Sequence, residues 1–277
     1  MASHFSSLGM PIETEEDLQR LLNRMAKDAR VIDVEAGRYL CWSSSSGAET
    51  WVQLTHANEF VGFNPHYAGR GRMPVRVQKA MNRPESTALD GAYYAWANPE
   101  KGESENGDYP FVFDVPDFQV EPPAALPWTG EAQLAAFAEQ IEVFRDEETF
   151  LASQVEEPKF AARCFIPTGL LKAEEDSAPP QAFALINGRV SEAARHRNEL
   201  TGGEYAWLLL DTLGGSIDVV ADFELLPGGL PRRGEVVSGT FWMSGRVLRR
   251  REPGERAGNG AESSGGFLRQ LGKLLGG

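Results

Sequence analysis

The chain has 277 residues, 42% hydrophobic and 10% aromatic, with 40 Asp plus Glu against 27 Lys plus Arg and a formal charge of -13. That much apolar area excludes disorder over most of the length, and the size admits one large core or two ordinary ones. Cys41 and Cys164 are the only cysteines, which excludes a disulfide framework and a four-cysteine zinc site.

No stretch reaches the roughly 18 apolar residues of a membrane-spanning helix. The start, Met1-Ala-Ser-His-Phe-Ser-Ser7, has neither the basic nor the apolar region of a signal peptide. The expectation is a soluble, cytoplasmic protein with both thiols buried. Charge is distributed unevenly. Between Glu85 and Lys159 seventeen acidic residues face three basic ones, whereas from Arg246 to the end seven basic residues face three acidic. Such runs serve solubility or the attraction of a partner of opposite sign.

From the N-terminus, residues 4–12 read as a strand. Thr14-Glu-Glu-Asp17 offers a capping box to a helix over residues 15–29, whose Leu18, Leu21, Leu22 and Met25 recur at helical spacing. Residues 31–34, 38–42, 49–54 and 60–63 read as short strands separated by turn-rich segments. Further strands are expected at 75–77, 92–97 and 111–115, with a loop over residues 98–108 that contains no large apolar side chain. The Pro-rich segment 121–127 reads as a linker. Beyond it Leu134, Phe137, Ile141 and Phe144 mark one face of a helix, and residues 146–155 begin another. Strands follow at 182–190, 205–211, 217–221 and 236–248, rich in β-branched and aromatic residues. Residues 249–266 have the composition of disorder. Phe267, Leu268, Leu271, Leu274 and Leu275 then form an apolar stripe on a short helix that needs a surface to be stable.

The predicted fold class is therefore α+β: an α+β module with an antiparallel sheet over residues 1–120, a helical connector over 121–159, a mainly β barrel over 160–248, and a tail over 249–277. The third region, with Asn187-Gly-Arg-Val190, the polar loop 195–203 and the closing strand Gly234 to Val247, resembles an OB-like barrel. That resemblance implies single-stranded nucleic-acid binding through loop residues Arg195, Arg197, Arg232 and Arg233 and strand aromatics Tyr205, Trp207 and Trp242. The chain's net negative charge opposes it. The strand, helix and meander of residues 4–63 resemble a half-module of the vicinal oxygen chelate family, which implies a divalent-metal site at His4 and Glu49, with His66 opening a second module.

Other chemistry has little footing. Gly-x-Ser-x-Gly is absent, and Gly69-Arg-Gly-Arg72 lacks the residues of a phosphate cradle. The reading from sequence is thus a binding or interaction protein without a cofactor. A protein partner would dock on Phe267, Leu268, Leu271, Leu274 and Leu275.

Overall fold

The computed structural model describes residues 4–81, 83–84, 86–100, 106–123, 125–171 and 179–248. The fold is mixed α and β and mostly strand. Residues 6–8 form a 3-10 turn that ends on left-handed Gly9, where a strand was expected. Helix α1 (Glu15–Met25) starts as predicted. The Thr14 side chain accepts from the Asp17 amide, and the Asp17 carboxylate accepts from the Thr14 amide, which satisfies two of the free donors of the first turn. Its apolar stripe, Leu22 and Met25, packs on Leu40, Trp42, Val52 and Leu54.

Those residues belong to a four-stranded antiparallel meander, β1 (Arg30–Val34), β2 (Gly37–Ser43), β3 (Ala48–Leu54) and β4 (Phe60–Tyr67). β4 runs through Pro65 and on to Tyr67. It lies at the sheet edge, where a missing N–H costs no ladder bond.

The rest is one nine-stranded sheet: β5 (Met73–Met81), β6 (Ala92–Ala97), β7 (Tyr109–Asp114), β8 (Trp128–Phe144), β9 (Cys164–Ile166), β10 (Phe183–Arg197), β11 (Glu204–Thr212), β12 (Gly215–Ala221) and β13 (Val236–Leu248). A short helix, α2 (Glu147–Ser153), follows β8 and is capped by Asp146. The segment expected to be a helix over residues 134–144 is β8, a strand of 17 residues. In its centre, residues 132–138 are buried on both faces. Two-sided burial erases the alternation that identifies a strand and leaves an apolar run that mimics helical spacing. β8 pairs with strands from both sides of the sequence, so the expected connector is part of the sheet.

The pairings contain an internal repetition. β5, β6 and β7 form an antiparallel meander followed by long β8; β10, β11 and β12 do the same before long β13. The two long strands pair antiparallel. Each also closes the other unit by a parallel contact, Val220 to Phe137 (β12–β8) and Asp114 to Ser244 (β7–β13). Exchanging the units maps the registers onto each other. Met81–Ala92 becomes Ala194–Trp207, Ala92–Asp114 becomes Trp207–Val220, and Val75–Gly130 becomes Gly188–Val237. The bulge after Val77 matches the bulge after Val190, and the Ala136–Met243 pair maps onto itself. Two closed rings of five strands result, sharing β8 and β13. Of the ring β8–β12–β11–β10–β13, only four strands lie in residues 160–248; the fifth is β8.

Side chains alternate along the shared strands. Leu134, Ala136, Phe241 and Met243 join the main core. Gln133, Trp242, Ser244 and Arg246 meet the N-terminal segment and the four-stranded sheet, which lies across this face with β4 directly over it.

Candidate functional site

At the centre of that contact lies a buried polar chain. Asp218 on β12 is fully buried and accepts four hydrogen bonds: from the Arg70 amide (3.1 Å), the Gly71 amide (2.8 Å), Trp207 Nε1 (2.9 Å) and Gln133 Nε2 (3.0 Å). The Gly69-Arg-Gly-Arg72 loop that lacked phosphate-binding residues thus cradles the protein's own carboxylate. A Cβ at Gly69 would stand 2.1 Å from Asp218 Cγ, so only glycine fits. Gln133 Nε2 also donates to the Tyr67 carbonyl at 3.1 Å. With both amide protons directed at acceptors, Gln133 Oε1 can only accept, and it faces His66 Nε2 at 3.1 Å. His66 therefore carries its proton on Nε2, leaving Nδ1 to accept from Ser244 Oγ at 2.8 Å.

A serine hydroxyl on an imidazole has the spacing of a nucleophile and its base. The electrostatics oppose that use. Burial, then the nearby Arg246 guanidinium, pushes the His66 pKa down to about 3, so the ring is a poor proton acceptor at neutral pH.

Arg246 sits between Glu49 and Asp117, with Asp117 Oδ2 2.8 Å from its Nε and the Trp51 ring 4.8 Å from the guanidinium carbon. Burial pushes the Glu49 carboxyl up, but Arg246 and its hydrogen bonds prevail and hold it below its usual value. For Asp117 burial wins and its pKa is raised.

Beside Ser244 the same face opens into a pocket of about 240 Å³, lined among others by Asn64, Arg83, Asp90, Ala92, Asp114 and Ser244. Asp114 Oδ2 accepts from Trp242 Nε1 at 2.7 Å, and Asp90 accepts from Gln53, Asn64 and Thr87. Arg83 Nη2 and Asp114 Oδ1 approach to 2.7 Å. The two are ion-paired, and Arg83 Nε also donates to the Pro180 carbonyl at 3.3 Å.

The internal repetition supplies a control for this pocket. Its residues Ala92, Asp114 and Ser244 occupy the places of Trp207, Val220 and Phe137 in the other unit. Counted along the chain, Arg83 and Asp90 correspond to a further pair of the other unit: the β5–β6 ladder ends at Met81–Ala92, while the β10–β11 ladder runs on to His196–Tyr205. There the space is filled: His196, Tyr205 and Trp207 pack on one another and on Tyr67 of β4, with centroids 5.6–6.5 Å apart. One half of the molecule carries an aromatic plug, the other a polar pocket.

The residues expected from sequence fall elsewhere. Tyr205 and Trp207 are part of the plug and buried; Trp242 is 9% exposed, with His4 stacked on it at 4.4 Å. Together they offer no open stacking face. Arg195 pairs with Glu204 and lies over Phe223, Arg197 donates to the Gly202 carbonyl, and Arg232 and Arg233 lie on the 230–234 loop. Glu49 and His66 are directly opposed across β3–β4. His4 lies apart from them, its Nε2 3.6 Å from Glu139. Both ring nitrogens of His66 are engaged, Glu49 is held by Arg246, and among the described residues no group of three or more His, Cys, Asp or Glu could hold a metal ion. Phe267, Leu268, Leu271, Leu274 and Leu275 lie outside the described residues. No described helix is long and apolar enough to cross a membrane.

Compared with protein-family models, curated proteins and solved structures, the chain matches none.

Proposed function

We propose that this chain is a binding protein for a small polar molecule and that its site is the pocket between β4, β6, β7 and β13. The observation that carries this reading is the asymmetry of the two units. A repeated framework fills one position with Trp207, His196 and Tyr205 and leaves its counterpart open, floored by Ala92, Asp114 and Ser244. At about 240 Å³ the pocket is smaller than the roughly 300–1,000 Å³ of drug-sized sites, which favours a ligand of few non-hydrogen atoms. The reading keeps the binding role expected from the sequence and gives it a site among the described residues; the tail residues Phe267–Leu275 lie outside them. Catalysis is the weaker reading because the imidazole facing Ser244 is held neutral and unreceptive.

The ring β8–β12–β11–β10–β13 supports an OB-like description, with five strands closing and the strand that would end such a barrel coming first in the chain. Nucleic-acid binding gains nothing from it, because the aromatic rings it would use are buried.

The test is a panel of small polar compounds screened by thermal shift against the native chain and Ala92→Trp. The reading predicts a compound that raises the melting temperature of the native protein and loses that effect in the variant. A panel without such a compound, or one whose effect persists in Ala92→Trp, contradicts it.

A further inference from the structure

We infer that His66 is an acid-sensitive clasp: on mild acidification helix α1 and the four-stranded sheet lift off the two rings as one unit while the rings stay folded. The inference holds whether or not the pocket binds a ligand. His66 belongs to β4, the strand of that sheet that lies directly over the rings. Its ring nitrogens bond one to each of the shared long strands, Nδ1 to Ser244 of β13 and Nε2 to Gln133 of β8. One fully buried side chain thus ties the sheet to both rings.

Much of the remaining contact is polar. Glu49 meets Arg246, Gln53 and Asn64 donate to Asp90 at 2.7 and 3.0 Å, Arg24 donates to the Leu200 carbonyl, and Gln133 donates to the Tyr67 carbonyl. The apolar part is narrower: Tyr39 and Trp51 against Leu89, Phe63 stacked on Phe5, and Leu21, Ala48 and Tyr67 reaching the main core. The chain before α1 stays with the rings, because Asn198 and Thr201 donate to the Leu8 and Gly9 carbonyls. Within the lifting unit, Leu22, Met25, Leu40, Trp42, Val52 and Leu54 form a core of their own. A unit that keeps its core and its internal ladder can open at less cost than global unfolding.

Acid acts on the clasp through charge. Facing the imidazole are Ser244 and Arg246 from β13, Gln133 from β8 and Glu49 from β3; Asp218 of β12 stands behind Gln133, and Asp117 behind Arg246. A protonated ring keeps both hydrogen bonds, since Ser244 can turn to accept. It is nonetheless a second cation buried beside Arg246, whose partner Glu49 offsets only part of the cost, and its pKa is pushed down to about 3. In the lifted state water solvates the ring and the ordinary value returns. Opening therefore takes up a proton that the docked state refuses. It becomes about tenfold more frequent for each pH unit below ~6.5, or about 30-fold between about pH 7.5 and about pH 5. Asn64 leaves with β4, so the same opening removes one wall of the pocket.

The experiment is hydrogen–deuterium exchange of the full chain at these two pH values, corrected for the intrinsic pH dependence of exchange, beside His66→Gln. The variant retains His4, His56, His196, Glu49 and Asp117, so their titration cancels. The inference predicts that backbone amides of α1 and β1 to β4 exchange faster than those of β8 and β13 at both pH values. They gain about 30-fold at the lower pH, and the variant loses that gain. Equal protection of the two sets of amides, which is the behaviour of one cooperative unit, would overturn the inference, as would a gain that persists in His66→Gln. Should the variant fail to fold, the native chain decides alone: sheet amides that open first and gain about 30-fold support the clasp, and sheet amides that gain nothing or exchange together with β8 and β13 refute it.

Discussion

The neutral, buried state of His66 makes a strong prediction about acid stability. The imidazole is fully buried, Arg246 faces it from β13 and Glu49 from β3, and its pKa falls from 6.5 to about 3. An unfolded chain regains the ordinary value. Between these limits the unfolded state binds a proton that the folded state refuses, so stability falls as pH falls from about 6.5 toward 3 and is independent of this group above that window. Each tenfold change in proton affinity is worth about 1.4 kcal/mol, which makes the full effect on the order of 4–5 kcal/mol. His4 and His196 are also lowered, chiefly by burial, and contribute with the same sign. The comparison is therefore between the native chain and His66→Gln, which cannot titrate. Glu49 does not confuse the window: its carboxyl is held below the usual value, so its contribution is lost only at lower pH. Urea unfolding of both proteins from about pH 7 to about pH 4.5 should show the native chain losing roughly 2–3 kcal/mol more than the variant. Parallel stability curves would refute the assignment of His66 as a buried neutral ring.

Asp218→Asn keeps the shape but turns an NH2 group toward donors that now reach a carboxylate oxygen. At about 1–3 kcal/mol for each buried group left unsatisfied, it should cost about 2–5 kcal/mol and lower the melting temperature by several degrees; calorimetry showing less than about 1 kcal/mol would contradict the four-donor geometry. Arg246→Ala leaves Glu49 and Asp117 buried without their cation and should cost about 3–5 kcal/mol, read from denaturant midpoints. Unchanged stability would mean that the two carboxylates find water. Because Tyr205 and Trp207 form the plug and Trp242 lies under His4, adding a thymidine oligonucleotide at low salt should leave tryptophan fluorescence unquenched. Stoichiometric quenching would contradict the burial of these rings.

Much of the local structure is legible in the sequence because it is local. The capping box at Thr14, the turn-bounded strands of the meander and the β-branched strands from Tyr205 onward all follow from residue type and spacing. What spacing misled on is β8. Leu134, Phe137, Ile141 and Phe144 mimic a helix because the strand is buried on both faces, and two-sided burial depends on which other strands it meets. The same non-local cause hid the site. Arg83, Ala92, Asp114 and Ser244 acquire meaning only when β7 and β13 come together and the two units are superposed by register. The sequence carries that repetition only in fragments as small as Arg76-Val77 against Arg189-Val190. These are too short and too unevenly spaced to stand out as a repeat. His4, Glu49 and His66 are conspicuous as residue types, yet each is engaged by a neighbour that spacing could not supply: Glu139, Arg246, and Ser244 with Gln133.

A crystal structure of Ala92→Trp tests the equivalence of the two units most directly. Equivalent units predict an indole lying in the pocket beside Asn64, Arg83 and Asp90, as Trp207 lies beside Tyr67, His196 and Tyr205, with the β6–β7 register intact. An indole turned out to solvent, or a β6 strand displaced from Asp114 to make room for it, would contradict the claim that the pocket is the vacant counterpart of the plug.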